Sequence, residues 1–408
     1  MLRPHLLRLW DQARSFLAGL SVDDGDLTQP STPESHAAVP SSPIPGLSRP
    51  LLSEVFASVP DPRDPRGIRH PLSSVLVIAQ AAVAAGARTL LGISEWAADI
   101  DREALARLGI DAHVRLPSES TIRRTLAAVD GDDLDARMAT WMATRVGHLA
   151  GRTVIAVDGK SLRGATPAGG VMPHLLAALH HGTGVVAGQL AVAAKSNEIP
   201  ALPVLLAQLD LEDVVVTADA LHCQRETAAY ITSRGGHYVL TVKGNQPRLR
   251  ARLKALPWTH VPATSTVTTS HGRRVRRTIK AVTVPDWVGF PGAAQVVQVR
   301  RTRTVNGHKT TEVVYAICSL DMVTAPPATV ATWIQGHWSI ENALHWVRDV
   351  VFDEDRHQLR TGSGAHVMAT LRNTAISLLR LAGHTRIASS LRHHSRNPHR
   401  PIDLITTP

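Results

Sequence analysis

Two apolar segments that each end on an aspartate decide the fold. They read Thr153-Val154-Ile155-Ala156-Val157-Asp158 and Val214-Val215-Val216-Thr217-Ala218-Asp219. Their β-branched residues predict buried strands, and segments this apolar are typical of central, parallel strands. The carboxyl ends of parallel strands meet at one edge of a sheet, where α/β folds place ligand sites. We therefore expect the carboxylates of Asp158 and Asp219 to lie side by side.

The elements around these strands predict a mixed α/β sheet with helices on its faces. Strands at residues 174–179 and 185–193 follow the first one and are joined by a tight turn. Asn197 can cap a helix over residues 198–209, and a helix over 224–234 precedes a fifth strand over 237–242. This order requires a right-handed crossover before the strand that ends at Asp219.

Composition along the chain predicts four regions. The leader is rich in Ser, Pro, Asp and Gly and is expected to be partly disordered, whereas the tail, with clustered His and Arg, is expected to be basic and mobile. The regions are a leader at 1–48, an N-terminal helical domain at 49–148, the sheet domain at 149–382 with a β-rich insertion at about 246–325, and the tail at 383–408.

A third acid, Glu341, lies far along the chain in a segment that predicts the start of an amphipathic helix. Burying unpaired carboxylates is costly, so three acids placed where elements begin or end predict bound cations. Oxygen ligands favour Mg²⁺ or Mn²⁺, and two such ions about 4 Å apart support phosphodiester chemistry. Taken singly, each acid is better explained by a helix cap or a surface turn, but the three together with their flanking segments favour a shared site.

The charge balance points to a polyanionic partner. The net charge is +10, the isoelectric point is near 10.4, and only six of the 44 basic residues are lysine. Arginine binds phosphate bidentately, although a genome bias toward arginine codons explains the Arg/Lys ratio equally well. Two cysteines make neither a disulfide framework nor a zinc site, and the most apolar stretch, residues 72–87, favours a buried helix. We expect a soluble, cytoplasmic protein.

Several residues are candidates for contacts to DNA, and each has a simpler alternative. The alternatives are a solvated helix face for paired arginines, strand-end solvation for lysines, and a packed or solvated ring for histidine. The tryptophans Trp338 and Trp346 are more often core residues than stacking surfaces. The candidates are Arg123 and Arg124 in the helical domain, Lys160, Lys243, Asn245 and Gln246 near the strand ends, and His345 on the face of Glu341.

Six motifs occur in order along the chain. They are Val157-Asp158-Gly159-Lys160, Lys195-Ser196-Asn197-Glu198-Ile199, Thr217-Ala218-Asp219-Ala220, Lys243-Gly244-Asn245-Gln246, His337-Trp338-Ser339-Ile340-Glu341-Asn342 and the segment from Leu344 to Asp355. Over residues 50–382 the chain resembles DDE transposases of the ISAs1 family, whose relatives include the H-repeat-associated proteins. The resemblance implies a ribonuclease-H-like core, a β-rich insertion before the last acid, and Asp158, Asp219 and Glu341 as the acids that hold two metal ions.

A broader group of insertion-sequence transposases carries a tyrosine, an arginine, a glutamate and a lysine around the last acid. The corresponding residues here are Ile334, His337, Glu341 and Arg348, so only the acid is retained. Arg348 lies seven residues after Glu341, which places it on the same face of an α-helix and within reach of DNA.

The leading functional hypothesis is cleavage and joining of double-stranded DNA at the ends of an insertion sequence, by a homodimer. The alternatives are a metal-dependent nuclease on the same core and a DNA-binding relic without transposition activity. The intact acids favour an enzyme, whereas Ile334 and His337 leave the inactive DNA-binding relic as an alternative.

Overall fold

The structure is a computed structural model that describes residues 41–42 and 49–407, apart from 112, 150, 169, 195 and 271. The predicted leader therefore lies outside the described residues, except for Ser41–Ser42 (β1), which pairs with His148–Leu149 (β2). The helices before the main sheet are α1 (Leu52–Ala57), α2 (Leu72–Ala84), α3 (Leu90–Asp99), α4 (Arg102–Arg107), α5 (Glu119–Ala128) and α6 (Gly131–Val146).

The sheet region alternates strands and helices as the sequence predicts. Its elements are β3 (Val154–Ser161), β4 (His174–His180), β5 (Val186–Ala191), α7 (Glu198–Ala207), β6 (Val215–Ala218), α8 (Arg225–Ser233), β7 (His237–Val242), α9 (Pro247–Lys254), β8 (Thr264–Ser270), β9 (Arg273–Thr283), β10 (Gln295–Val305) and β11 (His308–Cys318).

The last part of the chain is helical. It comprises α10 (Pro327–Gly336), two consecutive π-helical segments at Glu341–His345 and Val347–Val351, α11 (Gly364–Leu381), α12 (Ile387–Ser395) and α13 (His399–Thr406). We call the two π-helical segments the glutamate helix. No helix among the described residues is long and apolar enough to cross a bilayer.

Nine strands form one mixed sheet in the order β5-β4-β3-β6-β7-β11-β10-β9-β8. The central strands β3, β6 and β7 are parallel, and the other pairs are antiparallel. The α/β fold with a large mixed sheet is thereby confirmed. The predicted β-rich insertion forms four strands, β8 to β11, which extend this sheet because β11 pairs directly with β7.

Strand β3 is longer than its apolar run. Gly159 and Lys160 continue the pairing with Leu176 and Leu175 of β4, so Asp158 lies inside the strand rather than at its end. The prediction that Asp158 closes the strand is wrong, because a glycine and a lysine are tolerated where β4 supplies the hydrogen-bond partners.

The two faces of the sheet pack against different helices. Val157 belongs to the core that includes residues of α7 and α8, whereas Ala156 packs with the glutamate helix and the helices before and after the sheet. Side chains alternate between the faces of a strand, so Asp158 shares the face of Ala156. We call this the acid face.

The basic tail is not mobile in this structure. It forms α12 and α13, and its residues Ile387, Leu391, Ile402 and Ile405 are buried in the same core as α2 and α11. The expectation of a mobile tail is wrong. His and Arg dominate the composition of the tail, but its few aliphatic residues fall on one face of each helix, and that face is buried.

A buried polar cluster joins the glutamate helix to its surroundings. Arg348 donates from Nε to Glu354 Oε2 over 2.9 Å and from Nη1 to Gln189 Oε1 over 3.2 Å. Arg372 of α11 donates to Glu354 Oε1 over 2.8 Å. Each of these four side chains is at most 4% exposed, so the carboxylate of Glu354 is neutralised by two buried guanidinium groups.

Candidate active site

Asp158 and Asp219 lie side by side on neighbouring parallel strands. Val157 of β3 and Ala218 of β6 are register partners, and each aspartate is the next residue in its chain. Asp219 follows the end of β6, where its Oδ1 accepts a hydrogen bond of 2.8 Å from the Leu221 amide. The predicted adjacency of the two aspartates follows directly from this register.

Glu341 reaches the same place from the glutamate helix. Asp158, Glu341 and His345 each offer one ligand atom, and these atoms all lie within 4.8 Å of one another. His345 Nδ1 lies 3.2 Å from Glu341 Oε2 and 3.5 Å from Asp158 Oδ2. Two carboxylates from distant parts of the chain therefore converge, with the buried His345 ring between them.

The electrostatics of the site fit a divalent cation. Burial, followed by the charges of Glu341, Asp219 and Glu198, raises the pKa of Asp158 well above its usual 3.8. The hydrogen bond with His345 instead lowers the pKa of Glu341. The pKa of Asp158 is higher in the folded protein than in the unfolded chain. The protein therefore loses stability as pH rises from the unfolded pKa through the folded pKa and this carboxyl group ionises. A bound cation offsets this cost, and carboxylate oxygens are the ligands that Mg²⁺ and Mn²⁺ prefer.

The structure does not place Arg348 on the side of its helix that carries Glu341. The expectation assumed α-helical winding, in which residues seven apart share a face. In the wider π-helix the seventh residue turns away, whereas His345, four residues after Glu341, still contacts it. Arg348 is 0% exposed and bound to Glu354, so it is not available to phosphate here.

Lys160 is likewise committed to partners within the protein. Its Nζ lies 2.5 Å from Asp349 Oδ1 and 3.8 Å from Asp355 Oδ1, and its side chain is only 7% exposed. Because Lys160 lies within β3 and on the acid face, it is covered by the glutamate helix. Neither a phosphate contact nor strand-end solvation describes it.

The residues after β7 divide into one exposed cation and two loop contacts. Lys243 is exposed, and in register it falls on the acid face. Asn245 donates from Nδ2 to the Ala220 carbonyl, and Gln246 donates to Gln224 Oε1 over 2.9 Å. The two amides hold the loop that follows Asp219, which leaves Lys243 as the group that can face a phosphate.

Arg123 and Arg124 are exposed on α5, far from the acids in sequence. Arg123 pairs with Glu119 over 3.3 Å, one turn earlier, and Arg124 Nε donates to the Ser120 carbonyl over 3.2 Å. Both contacts are local to the helix surface, where ion pairs contribute little stability. A DNA contact by these arginines stays a prediction.

Ile334 and His337 take structural places at the signature positions. Ile334 packs against the core formed by α10 and the sheet. His337 Nδ1 lies 3.3 Å from Thr217 Oγ1, and burial lowers the pKa of His337 to about 4. His337 is therefore neutral at pH 7 and supplies no positive charge where the signature has an arginine.

Sequence reasoning missed a cluster behind Asp158. Glu198 accepts hydrogen bonds from His174 Nε2 over 2.8 Å and from His222 Nε2 over 3.0 Å. Although burial opposes it, these hydrogen bonds lower the pKa of Glu198 to about 2. The only signal was the motif around Asn197, whose side chain caps α7 through a 2.9 Å bond from the Ile199 amide.

Trp338 also departs from expectation. It is 56% exposed and lies three residues before Glu341, whereas Trp346 packs against the core. The interpretation as a core residue is wrong for Trp338, because the turn between α10 and the glutamate helix points it outward.

Known proteins resemble the chain along most of its length. Residues 149–378 match the family model described as "Transposase DDE domain", and residues 53–142 match one described as "DDE_Tnp_1-associated". The chain belongs to the DDE transposase family. The predicted likeness to H-repeat-associated transposases is confirmed, because one such protein is among the relatives of the chain.

Two Escherichia coli proteins illustrate the likeness. "Putative transposase YncI" of strain O157:H7 is 31% identical over 346 residues, which cover 81% of this chain and 87% of the relative. "H repeat-associated putative transposase YhhI" of strain K12 is 31% identical over 347 residues, covering 80% and 90%. A solved piggyBac transposase synaptic complex with hairpin DNA has a TM-score of 0.40 and 12% identity, covering 88% of this chain and 77% of that one.

Proposed function

We propose that this protein is a transposase that cuts DNA at the ends of an insertion sequence and joins the freed ends to a target. The observation that carries the proposal is the convergence of Glu341 on Asp158, within 4.8 Å, beside Asp219. The order β5-β4-β3-β6-β7 around these acids supports a ribonuclease-H-like core.

Asp158, Asp219 and Glu341 would hold two Mg²⁺ or Mn²⁺ ions. When bound, such ions activate the attacking oxygen and stabilise the leaving oxygen of a phosphodiester. The protein's own contribution is to position the ligands: β3 and β6 place the two aspartates side by side, and His345 orients the carboxylate of Glu341. The oxygen-rich donor set and the raised pKa of Asp158 support this assignment.

The extended sheet offers a surface for the DNA duplex. In register, Arg277 of β9 and Arg303 of β10 fall on the acid face, whereas Arg276 and Arg300 fall on the opposite one. Lys243 lies on the acid face between these strands and the acids. Double-stranded DNA bound along this face would meet guanidinium groups and then the carboxylate site.

One reaction tests the proposal. Purified protein is incubated with labelled DNA carrying the element ends, a target plasmid and Mg²⁺. Joined products support a transposase, cut products without joining support a nuclease on the same core, and a mobility shift without products supports a DNA-binding relic. Joining of paired ends that saturates at one protein molecule per end would also support the homodimer that we propose on DNA.

The N-terminal helical region would contribute to DNA binding through α5. Arg123 and Arg124 lie next to each other on its exposed side. Replacing both by glutamine should weaken DNA binding without changing the cleavage rate at saturating DNA. Unchanged affinity would restrict the DNA contacts to the sheet domain.

A further inference from the structure

One carboxylate behind the sheet contacts both segments that carry the aspartates. Glu198 is the first residue of α7, and its two oxygens accept hydrogen bonds from His174 and from His222. His222 belongs to the short turn that Asp219 caps, and it is 1% exposed. His174 in turn accepts from Ser161 Oγ, 2.9 Å away, at the end of β3.

Glu198 also touches the backbone next to Asp158. A Cβ added to Gly159 would lie 2.3 Å from Glu198 Oε1 and 2.5 Å from His174 Nε2. The glycine therefore leaves the space that the carboxylate and the imidazole occupy. Because side chains alternate along β3, this contact lies on the face opposite to Asp158. The cluster supports the strand from behind, directly under the site.

This arrangement restricts the distance between the two aspartates. Glu198 is fixed by α7, presses against Gly159 on one side and holds His222 on the other. Moving Asp158 away from Asp219 would break one of these contacts. A carboxylate is a costly choice for packing alone, since its charge adds to that of Asp158, Asp219 and Glu341.

We propose that Glu198 is a positioning residue, which through His174 and His222 sets the spacing of Asp158 and Asp219 for their metal ions. This inference rests on the proposed function, because it requires ions at those aspartates. Groups that orient metal ligands typically contribute about 10- to 100-fold to metal affinity.

Mn²⁺ binding, followed by electron paramagnetic resonance, tests the inference without relying on activity. The relevant ions are those bound by the wild-type protein and lost in Asp158→Asn. We expect Glu198→Gln to weaken their binding by about 10- to 100-fold. The matched control is Asp101→Asn, because Asp101 also starts a helix and pairs with a histidine, His399, over 3.2 Å, but far from the site in sequence.

A second pair of variants covers the case in which Glu198→Gln does not fold. His174→Gln keeps an N–H donor for Glu198, whereas His174→Ala removes it. We expect the glutamine variant to retain Mn²⁺ affinity and the alanine variant to lose it. Wild-type affinity in His174→Ala, or in Glu198→Gln where that variant folds, or equal losses in Asp101→Asn, would overturn the inference. Unchanged binding in Asp158→Asn would instead overturn the proposed function.

Discussion

At the residue scale, Asp219 caps a turn and is also proposed to hold metal ions, and substitution can separate these two roles. Its Oδ1 accepts a hydrogen bond from the Leu221 amide, which an asparagine oxygen also accepts. Asp219→Asn should therefore fold and bind DNA, while cleavage falls by on the order of 10³-fold or more, as when a charge-stabilising group is removed from an enzyme site. Gel assays of binding and cleavage on the same DNA measure both.

The matched control for this variant is Asp210→Asn. Asp210 is exposed, and its Oδ1 also accepts from an amide two residues on, that of Glu212, over 3.1 Å. This substitution should change neither binding nor cleavage. Loss of DNA binding in Asp219→Asn to the same degree as cleavage would mean that Asp219 is a structural residue.

Gly159 is a second residue whose role can be tested alone. Adding a methyl group forces it against Glu198 and His174, with 2.3 Å to the nearest carboxylate oxygen. We expect Gly159→Ala to lower the free energy of unfolding by about 1–3 kcal/mol, the usual cost of overpacking. Gly244→Ala is the control at the same sheet edge, since a Cβ there meets nothing within 4 Å. Urea unfolding of both variants decides the matter.

At the element scale, Glu354 holds the glutamate helix against α11. Its carboxylate is buried between Arg348 and Arg372, so its removal leaves two buried cations without a partner. Glu354→Gln should lower the free energy of unfolding by about 3–5 kcal/mol. The exposed pair of Glu119 and Arg123 is the comparison, where Glu119→Gln should cost less than about 1 kcal/mol. Similar small losses in both variants would contradict a stabilising role for the buried ion pairs of Glu354 with Arg348 and Arg372.

The stability that Glu354 contributes should fall as the pH is lowered. Although burial opposes it, the charges of Arg348 and Arg372 lower the pKa of Glu354 from 4.5 to about 2. A lowered folded pKa contributes stability that is complete above pH 4.5 and is lost as pH falls toward 2. The difference in unfolding free energy between wild type and Glu354→Gln should therefore shrink between pH 5 and pH 3. A constant difference over that range would show that Glu354 is not ionised in the folded protein.

The elements were predictable to the extent that their pattern is local. Apolar runs and turns gave the strands, and the positions of Asp158 and Asp219 followed from the direction of β3 and β6. The burial of Arg348 was not predictable, because it depends on the partners Glu354 and Gln189 from outside the glutamate helix. The cluster of Glu198 with His174 and His222 was missed for the same reason: long-range hydrogen bonds leave no periodic trace in the sequence.

At the scale of the whole molecule, the sheet has two basic faces that a DNA duplex would distinguish. Arg277 and Arg303 share the face of the acids, and Arg276 and Arg300 lie on the other one. Double variants to glutamine on either face change the net charge equally. A nonspecific charge effect would therefore be the same for both double variants, even though Arg276 and Arg300 are the more exposed pair.

The salt dependence of binding therefore shows which face of the sheet contacts the DNA. The slope of log affinity against log salt concentration is negative, and each lost phosphate contact reduces its magnitude by about one. We expect Arg277→Gln with Arg303→Gln to reduce the magnitude of this slope by about two. Arg276→Gln with Arg300→Gln should leave the slope unchanged. Fluorescence anisotropy with element-end DNA at several salt concentrations gives both slopes. Equal slopes for the two double variants would mean that the duplex does not follow the acid face, and a larger effect of Arg276 and Arg300 would place it on the opposite side of the sheet.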